Sequence, residues 1–115
     1  MHELSIAISI VEGAEEEAAR CGAAGVSSVH LRLGMLSGVV KEALLFAYEQ
    51  ACEGTLLQGS RLVIEDVPVL IHCPACNEPR PPHSQWQLEC ATCDAPATGI
   101  VQGRDMQIFA MEVTP

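Results

Sequence analysis

Four cysteines have the spacing of a metal site. Cys73 and Cys76 are separated by two residues, as are Cys90 and Cys93, and thirteen residues lie between the pairs. The two thiolates of a Cys-x2-Cys turn reach one ion from the same side, and a second turn completes a tetrahedron around it. This pattern favours zinc over a disulfide or unrelated cysteines. Because four thiolates leave no open coordination position, we expect the zinc to hold structure and to take no part in chemistry.

A histidine at position 2 is the second candidate metal ligand. The α-amino group, the amide nitrogen of His2 and its imidazole Nδ1 could close two chelate rings around one ion, and Glu3 could add a donor through its amide or carboxylate. Nitrogen donors in one plane suit Ni(II) or Cu(II). A helix predicted to begin at Leu4 favours the site, because the first N–H groups of a helix lack intrahelical partners. The alternative is that His2 is solvated and binds nothing.

The other reactive side chains do not form a catalytic pattern. His72 directly precedes Cys73 and could replace a cysteine, but we interpret His72 and His83 as surface residues or as residues that surround the zinc ligands. Cys21 and Cys52 are expected to pack as small apolar side chains. The sequence has no phosphate-binding glycine loop, no nucleophile elbow and no paired catalytic carboxylates. We therefore predict that the chain is not an enzyme.

Hydrophobic periodicity indicates the elements that carry these residues. Gly22 and Gly54 are expected to end the two predicted helices, and Ser37 is a candidate N-cap for the second. Alternating apolar residues predict strands. The predicted elements are a helix at Leu4–Cys21, a strand at Val26–Leu33, a helix at Val39–Glu53, and strands at Arg61–Val67 and Asp105–Val113.

Composition divides the 115 residues into two parts. Apolar residues make up 49% and aromatic residues only 3%, which indicates a packed, aliphatic core. From Pro68 to about Gly103 the chain is rich in proline, cysteine and polar residues, as expected for a module held together by metal. The sequence therefore predicts an α+β fold with two helices on a small three-stranded sheet and an inserted zinc-ribbon-like module. The predicted domains are 1–69 plus 104–115, and 70–103.

The charge of the chain argues against several kinds of partner. The net charge is −9, with 15 acidic and 6 basic residues, which opposes binding to the phosphates of nucleic acid. No segment has the roughly twenty apolar residues of a membrane span. The N-terminus lacks the basic and apolar regions of a signal peptide. We therefore expect a cytoplasmic protein that binds neither nucleic acid nor membrane.

Several motifs occur in a specific order along the chain. Met1-His2-Glu3 precedes an amphipathic helix, Leu33-Gly34-Met35-Leu36-Ser37 leads into a second helix with Phe46-Ala47-Tyr48-Glu49, and two Cys-x2-Cys pairs follow. Over essentially its full length the chain resembles the HypA/HybF family of hydrogenase nickel incorporation proteins. The resemblance implies a metallochaperone that carries Ni(II) as cargo to [NiFe] hydrogenase. The implied nickel-binding residues are Met1, His2 and Glu3, and the implied ligands of a structural zinc are Cys73, Cys76, Cys90 and Cys93.

The resemblance also implies partners. These are a maturation GTPase of the HypB type, the hydrogenase large subunit and, in some organisms, urease maturation proteins, with the chaperone a monomer or weak homodimer. Some members carry an aspartate at the start of the second helix as a further nickel ligand, but this chain has Val40 there, with Glu42 nearby. The competing interpretation is a zinc-ribbon adaptor without metal cargo, in which His2 is idle.

Overall fold

The structure is a computed structural model, and it describes residues 2–115. The predicted helices and strands are present, and additional short strands surround the cysteines. In chain order the elements are α1 (His2–Arg20), β1 (Gly25–Gly34), α2 (Lys41–Cys52), β2 (Arg61–Val67), β3 (Leu70–Cys73), β4 (Glu78–Arg80), β5 (Pro82–Ser84), β6 (Gln87–Cys90), β7 (Gly99–Gln102) and β8 (Met106–Thr114). The α+β prediction is therefore confirmed.

The chain forms two compact units. The first, called the helical unit below, comprises the chain up to Leu31, Val39–Glu65 and Gln107–Pro115. The second, called the cysteine unit, comprises Arg32–Gly38 and Asp66–Met106. Neither helix in residues 2–115 has the length and apolar character that crossing a lipid bilayer requires.

Strands from both ends of the chain form a three-stranded sheet in the order β2-β1-β8. At one end of β1 the Ala24 N–H donates to Thr114 O at 2.9 Å, and at the other the Gly34 N–H donates to Asp105 O, also at 2.9 Å. These bonds join opposite ends of β1 and β8, so the two strands run antiparallel. The C-terminal strand β8, which follows the cysteine-rich segment in the sequence, therefore pairs with β1, which precedes that segment.

The helix α1 begins earlier than predicted and buries a stripe of small apolar residues. It begins at His2 rather than Leu4, so the candidate nickel ligand is itself the first described residue of the helix. Ile10 is buried, whereas Ile8 is 43% exposed. Gly22 follows the helix in the left-handed region at φ 71°, a conformation that glycine adopts without penalty. The buried stripe is Ala7, Ile10, Val11, Ala14 and Ala18.

The start of α2 differs from the prediction. Its N-cap is Val40, an extended residue at φ −84° and ψ 115°, and no side chain of its own caps the helix. Ser37 was therefore the wrong N-cap, because it lies in the turn that precedes the helix, where its N–H donates to Gly34 O. Leu44, Ala47, Tyr48 and Cys52 form the buried face of α2. Cys52 packs as predicted, but Cys21 is exposed, so the packing role predicted for it is wrong.

The cysteine unit is built from five strands of three or four residues. Strands β4, β3 and β7 form one small sheet, and β5 and β6 form a separate hairpin. Its core contains Val69 and Ile71 together with the side chains of Cys73 and Cys90. Strands this short carry little hydrophobic periodicity, which explains why the sequence predicted no strand here.

Candidate metal centre

The four cysteines of the two Cys-x2-Cys pairs come together in the cysteine unit. Their sulfur atoms all lie within 4.8 Å of one another. The Cys93 Sγ lies 3.4 Å from the Cys73 Sγ and 3.7 Å from the Cys76 Sγ. A tetrahedral zinc ion with bonds of about 2.3 Å separates its sulfur ligands by roughly 3.8 Å. The donor set and its spacing therefore fit zinc, and Cys73, Cys76, Cys90 and Cys93 are the residues that would hold it.

The two cysteine pairs lie on turns of matching geometry. After β3 the Asn77 N–H donates to Cys73 O at 2.8 Å, and after β6 the Asp94 N–H donates to Cys90 O at 2.8 Å. Asn77 and Asp94 have φ of 54° and 62°, in the left-handed region that asparagine and aspartate tolerate better than other side chains. Each turn therefore aims two sulfur atoms at one point, and the local sequence dictates this geometry.

Backbone N–H groups donate to cysteine sulfur atoms in both turns. In the first turn the Cys76 N–H donates to the Cys73 Sγ at 3.3 Å. In the second turn burial opposes ionisation of Cys90, but the N–H groups of Cys93 and Thr92 and the neighbouring thiols lower its pKa to about 6. The Ala95 N–H favours the Cys93 thiolate, yet the hydrogen bonds with the other thiols and burial raise its pKa to about 12. Hydrogen bonds between the crowded sulfur atoms thus favour the Cys90 thiolate and oppose ionisation of Cys93.

Burial of the cluster is uneven. Cys73 and Cys90 are fully buried in the small apolar core, Cys76 is half-buried and Cys93 is exposed. Leu36, Leu88 and Ala97 are among the apolar side chains packed against it. A metal held by all four sulfur atoms would have no free coordination position, so this arrangement suits structural stabilisation.

Glu3 is the residue of the N-terminal candidate site for which the structure shows a contact with another element. Met1 lies outside the described residues, and His2 is exposed at the start of α1. The Glu3 carboxylate accepts a hydrogen bond from the Val40 N–H at 3.2 Å and another from its own N–H, and these bonds lower the pKa of Glu3 below 4.5. Glu3 thus accepts the backbone N–H of the N-cap residue of α2, as the glutamate of a capping box does, and it attaches the first turn of α1 to the start of α2.

The position at which the resemblance implies an aspartate in some relatives is occupied here by an apolar side chain. Val40 is 55% exposed, so its isopropyl group points into no core. A carboxylate does lie at this place in the helical unit, but Glu3 supplies it through the Val40 N–H. The sequence could not indicate this contact, because the two residues are separated by 37 positions.

The two histidines beside the cysteines do not join the sulfur cluster. His83 Nε2 lies 2.5 Å from the carboxylate of Asp94, the residue that directly follows Cys93. The His72 carbonyl oxygen accepts a hydrogen bond from the Thr98 N–H at 3.1 Å, within the β3–β7 region. In the part of the chain that the structure describes, the group that could hold a metal ion consists of the four cysteines alone.

Comparison with known protein families shows the family to which the chain belongs. A family model described as hydrogenase/urease nickel incorporation, metallochaperone, hypA, matches residues 1–113. The chain belongs to the HypA family. This match confirms the resemblance inferred from the order of the motifs, and it confirms the prediction that the chain is not an enzyme, because HypA proteins are metallochaperones and maturation factors.

Individual HypA proteins align with almost the whole chain. A hydrogenase maturation factor HypA from Chloroflexus aurantiacus is 46% identical over 112 residues, which are 97% of this chain and 98% of the relative. The corresponding protein of a Roseiflexus species is 48% identical and covers 97% of this chain and 91% of its own length. The solution structure of the nickel metallochaperone HypA from Helicobacter pylori has a TM-score of 0.70 at 26% identity, covering 97% of each chain.

One polar cluster of this HypA-family chain was not apparent from its sequence. Ser28, which is 2% exposed, donates to the Glu112 carboxylate at 2.6 Å, and His30 Nε2 lies 3.2 Å from the same oxygen. Alternation along β1 places Ser28 and His30 on one face, but Glu112 comes from β8, more than 80 positions away. The Phe109 ring packs edge-on against His30 with ring centroids 6.0 Å apart. The sequence carries no signal for such a contact between distant strands.

Proposed function

We propose that this protein is a nickel metallochaperone that binds Ni(II) at Met1, His2 and Glu3 and helps deliver it to [NiFe] hydrogenase. The observation that carries the proposal is the contrast between two kinds of donor in a chain of the HypA family. Four thiols form a closed cluster, while His2 is exposed at the free end of α1. A closed four-thiolate site retains its metal, whereas an exposed site with few donors can release a metal to an acceptor.

The proposed nickel site uses nitrogen donors from the chain terminus. The α-amine, the His2 amide and the His2 imidazole provide three donors, and Glu3 supplies the fourth through its amide or its carboxylate, both of which already take part in hydrogen bonds. A site of this kind leaves coordination positions open. An acceptor can enter them, and nickel then moves by ligand exchange without becoming free. Copper would bind the same nitrogen donors more tightly in vitro, so metal availability and docking must provide selectivity.

The zinc proposal assigns a separate role to the cysteines. Zn(II) bound by Cys73, Cys76, Cys90 and Cys93 would supply the stability that strands of three or four residues cannot supply alone. The proposal keeps the division into a nickel-binding domain, 1–69 plus 104–115, and a zinc-binding domain, 70–103. Zinc is thus a resident structural ion and nickel is cargo.

Partners and location belong to the same proposal. The family description of hydrogenase and urease nickel incorporation supports a HypB-type GTPase, the hydrogenase large subunit and urease maturation proteins as partners. The net charge of −9 supports protein partners rather than nucleic acid. We propose a monomer or weak homodimer in the cytoplasm, where a reducing environment keeps the zinc cysteines as thiols.

Nickel titration with matched histidine variants tests the proposal. Ni(II) is added to untagged, zinc-loaded protein with an intact Met1, and heat and the nickel absorption spectrum are recorded. Wild type and the control His83→Ala, which removes another exposed histidine, should each bind a single nickel ion per chain. His2→Ala should lose this binding and keep its zinc. If His2→Ala binds nickel like the wild type, the proposal fails and the zinc-ribbon adaptor becomes the better interpretation.

Two substitutions at Glu3 separate its carboxylate from its backbone. Glu3→Gln keeps an oxygen that can accept the Val40 N–H but removes the charge, whereas Glu3→Ala removes both. If Glu3 binds nickel through its amide, Glu3→Gln should retain the affinity and the absorption spectrum of the wild type. A spectrum changed by Glu3→Gln as strongly as by Glu3→Ala would instead assign the carboxylate as a nickel ligand.

A further inference from the structure

Arg80 is the basic residue of the cysteine-rich segment. It is the only lysine or arginine among residues 70–103, a stretch that also contains Glu78, Glu89 and Asp94. It ends β4, where it pairs with Ile71 of β3 two residues before the ligand Cys73. The strand register therefore brings the one basic side chain of the segment next to the thiol cluster.

The contacts of Arg80 connect it to the cluster. The Cys76 sulfur beside its guanidinium, together with Glu78 and Cys90, raises the pKa of Arg80 above its usual value. Its Nη2 lies 2.6 Å from Oε1 of Glu78 in an ion pair, which restrains the orientation of the planar group. Its Nε is buried, with no acceptor in the part of the chain that the structure describes. A buried N–H without an acceptor is costly, so a nearby negative charge would stabilise this arrangement.

A zinc ion bound by the four cysteines would give the cluster the negative charge that the Nε of Arg80 lacks as a partner among the described residues. Four thiolates and one divalent ion carry a net charge of −2, and two of the sulfur atoms lie in an apolar core with Val69 and Ile71. Charge in such surroundings is costly unless an opposite charge or a hydrogen bond compensates it. The chain as a whole does not compensate this negative charge, because its own net charge is −9.

We propose that Arg80 is the positioning residue that compensates the charge of the four-thiolate zinc site and retains the ion while nickel is exchanged elsewhere. The guanidinium lies beside the Cys76 sulfur, which is more accessible than the fully buried Cys73 and Cys90. The zinc-loaded cluster carries more negative charge than zinc-free thiols do, so the positive charge of Arg80 stabilises the loaded site more than the empty one, and zinc leaves more slowly. The inference rests on zinc occupancy of the cluster and not on the nickel site.

Zinc release with matched charge variants tests this role. Zinc-loaded wild type, Arg80→Gln, Arg80→Lys and the control Arg104→Gln, which removes an exposed arginine outside the segment, are mixed with a chromophoric zinc chelator. Arg80→Gln should release zinc about tenfold faster than the wild type, since residues that hydrogen-bond to metal ligands typically change affinity by 10–100-fold. Arg80→Lys should be intermediate, because lysine keeps the charge but lacks the planar fork. Arg104→Gln should match the wild type.

A spectroscopic readout separates this role from a general loss of structure. In Co(II)-substituted protein, loss of the positive charge beside the Cys76 sulfur should move the thiolate-to-cobalt charge-transfer band to lower energy in Arg80→Gln but not in Arg104→Gln. Equal release rates and equal band positions in these two variants would overturn the proposal. Failure of the wild type to take up zinc would refute the zinc assignment itself, and His2→Ala failing to bind nickel would bear on neither result.

Discussion

Replacing Gly34 by alanine tests a close approach of two backbone segments in the cysteine unit. An alanine Cβ at this position would lie 2.3 Å from Gly103 O and 2.4 Å from Gly103 C. Non-bonded carbon atoms normally approach to about 3.5–4.0 Å, so the two segments would have to separate by roughly 1 Å. Both opposing atoms belong to the backbone, so no side-chain rotation can relieve the clash.

The expected cost follows from the bonds that such a shift would strain. The Gly34 N–H donates to Asp105 O at 2.9 Å, and the Leu36 N–H donates to Gly103 O at 2.7 Å. Overpacking costs about 1–3 kcal/mol, and each strained hydrogen bond adds about 1 kcal/mol. We therefore expect Gly34→Ala to lower the free energy of unfolding by about 3–5 kcal/mol. This is a large part of the total stability of a small protein, which is about 5–15 kcal/mol.

Gly13→Ala provides a matched control with the opposite sign. Gly13 lies inside α1, and a Cβ there meets nothing within 4 Å. Alanine in a helix interior is favoured over glycine by about 1 kcal/mol, so this variant should be more stable than the wild type. The same chemical change thus destabilises one unit and stabilises the other.

Urea unfolding of Co(II)-substituted protein measures both effects. Cobalt absorption reports the cysteine unit, and far-UV ellipticity reports the two helices of the helical unit. Gly34→Ala should lower the midpoint of the cobalt signal, and Gly13→Ala should raise the midpoint of the ellipticity. If Gly34→Ala unfolds within about 0.5 kcal/mol of the wild type, the effect of an ordinary surface substitution, then Gly34 and Gly103 do not approach as described.

Three further predictions follow from individual side chains. Tyr48→Phe should lower the free energy of unfolding by about 1 kcal/mol in urea, because the buried phenol shares a 2.7 Å hydrogen bond with Ser60 Oγ; an unchanged midpoint would contradict that bond. Hydrogen bonds from Ser28 and His30 hold the pKa of Glu112 below 4.5, so its contribution to stability is present above pH 4.5 and is lost as the pH falls through the lowered pKa. Glu112→Gln should accordingly flatten the acid limb of a plot of urea midpoint against pH, and an unaltered limb would exclude this role. Trp86 is the only tryptophan and is 86% exposed, so acrylamide should quench its fluorescence almost equally in native and unfolded protein, whereas strong native protection would mean that it is covered.

Local patterns predicted the elements whose signal lies within a few residues. Alternation placed β1 and β8 within one residue of their observed bounds, and the glycine at position 22 correctly ended α1. Helix starts were less predictable. A carboxylate from another helix accepts the N–H of the N-cap residue of α2, so the group that satisfies it did not have to appear next to the helix in the sequence. The strands of the cysteine unit were missed because three or four residues are too few to show a period.

The sequence by itself determined the chemistry of the candidate metal centre. Cysteine spacing and left-handed turn residues act over a few bonds, so Cys73, Cys76, Cys90 and Cys93 could be identified before any fold was known. Only the tertiary structure decided which side chains surround these donors. Glu3 reaches Val40, Arg80 reaches Cys76 and Glu112 reaches Ser28. The Glu3 and Glu112 contacts join separate segments and the Arg80 contact joins neighbouring strands, and such pairings depend on how the elements pack together, which local sequence does not specify.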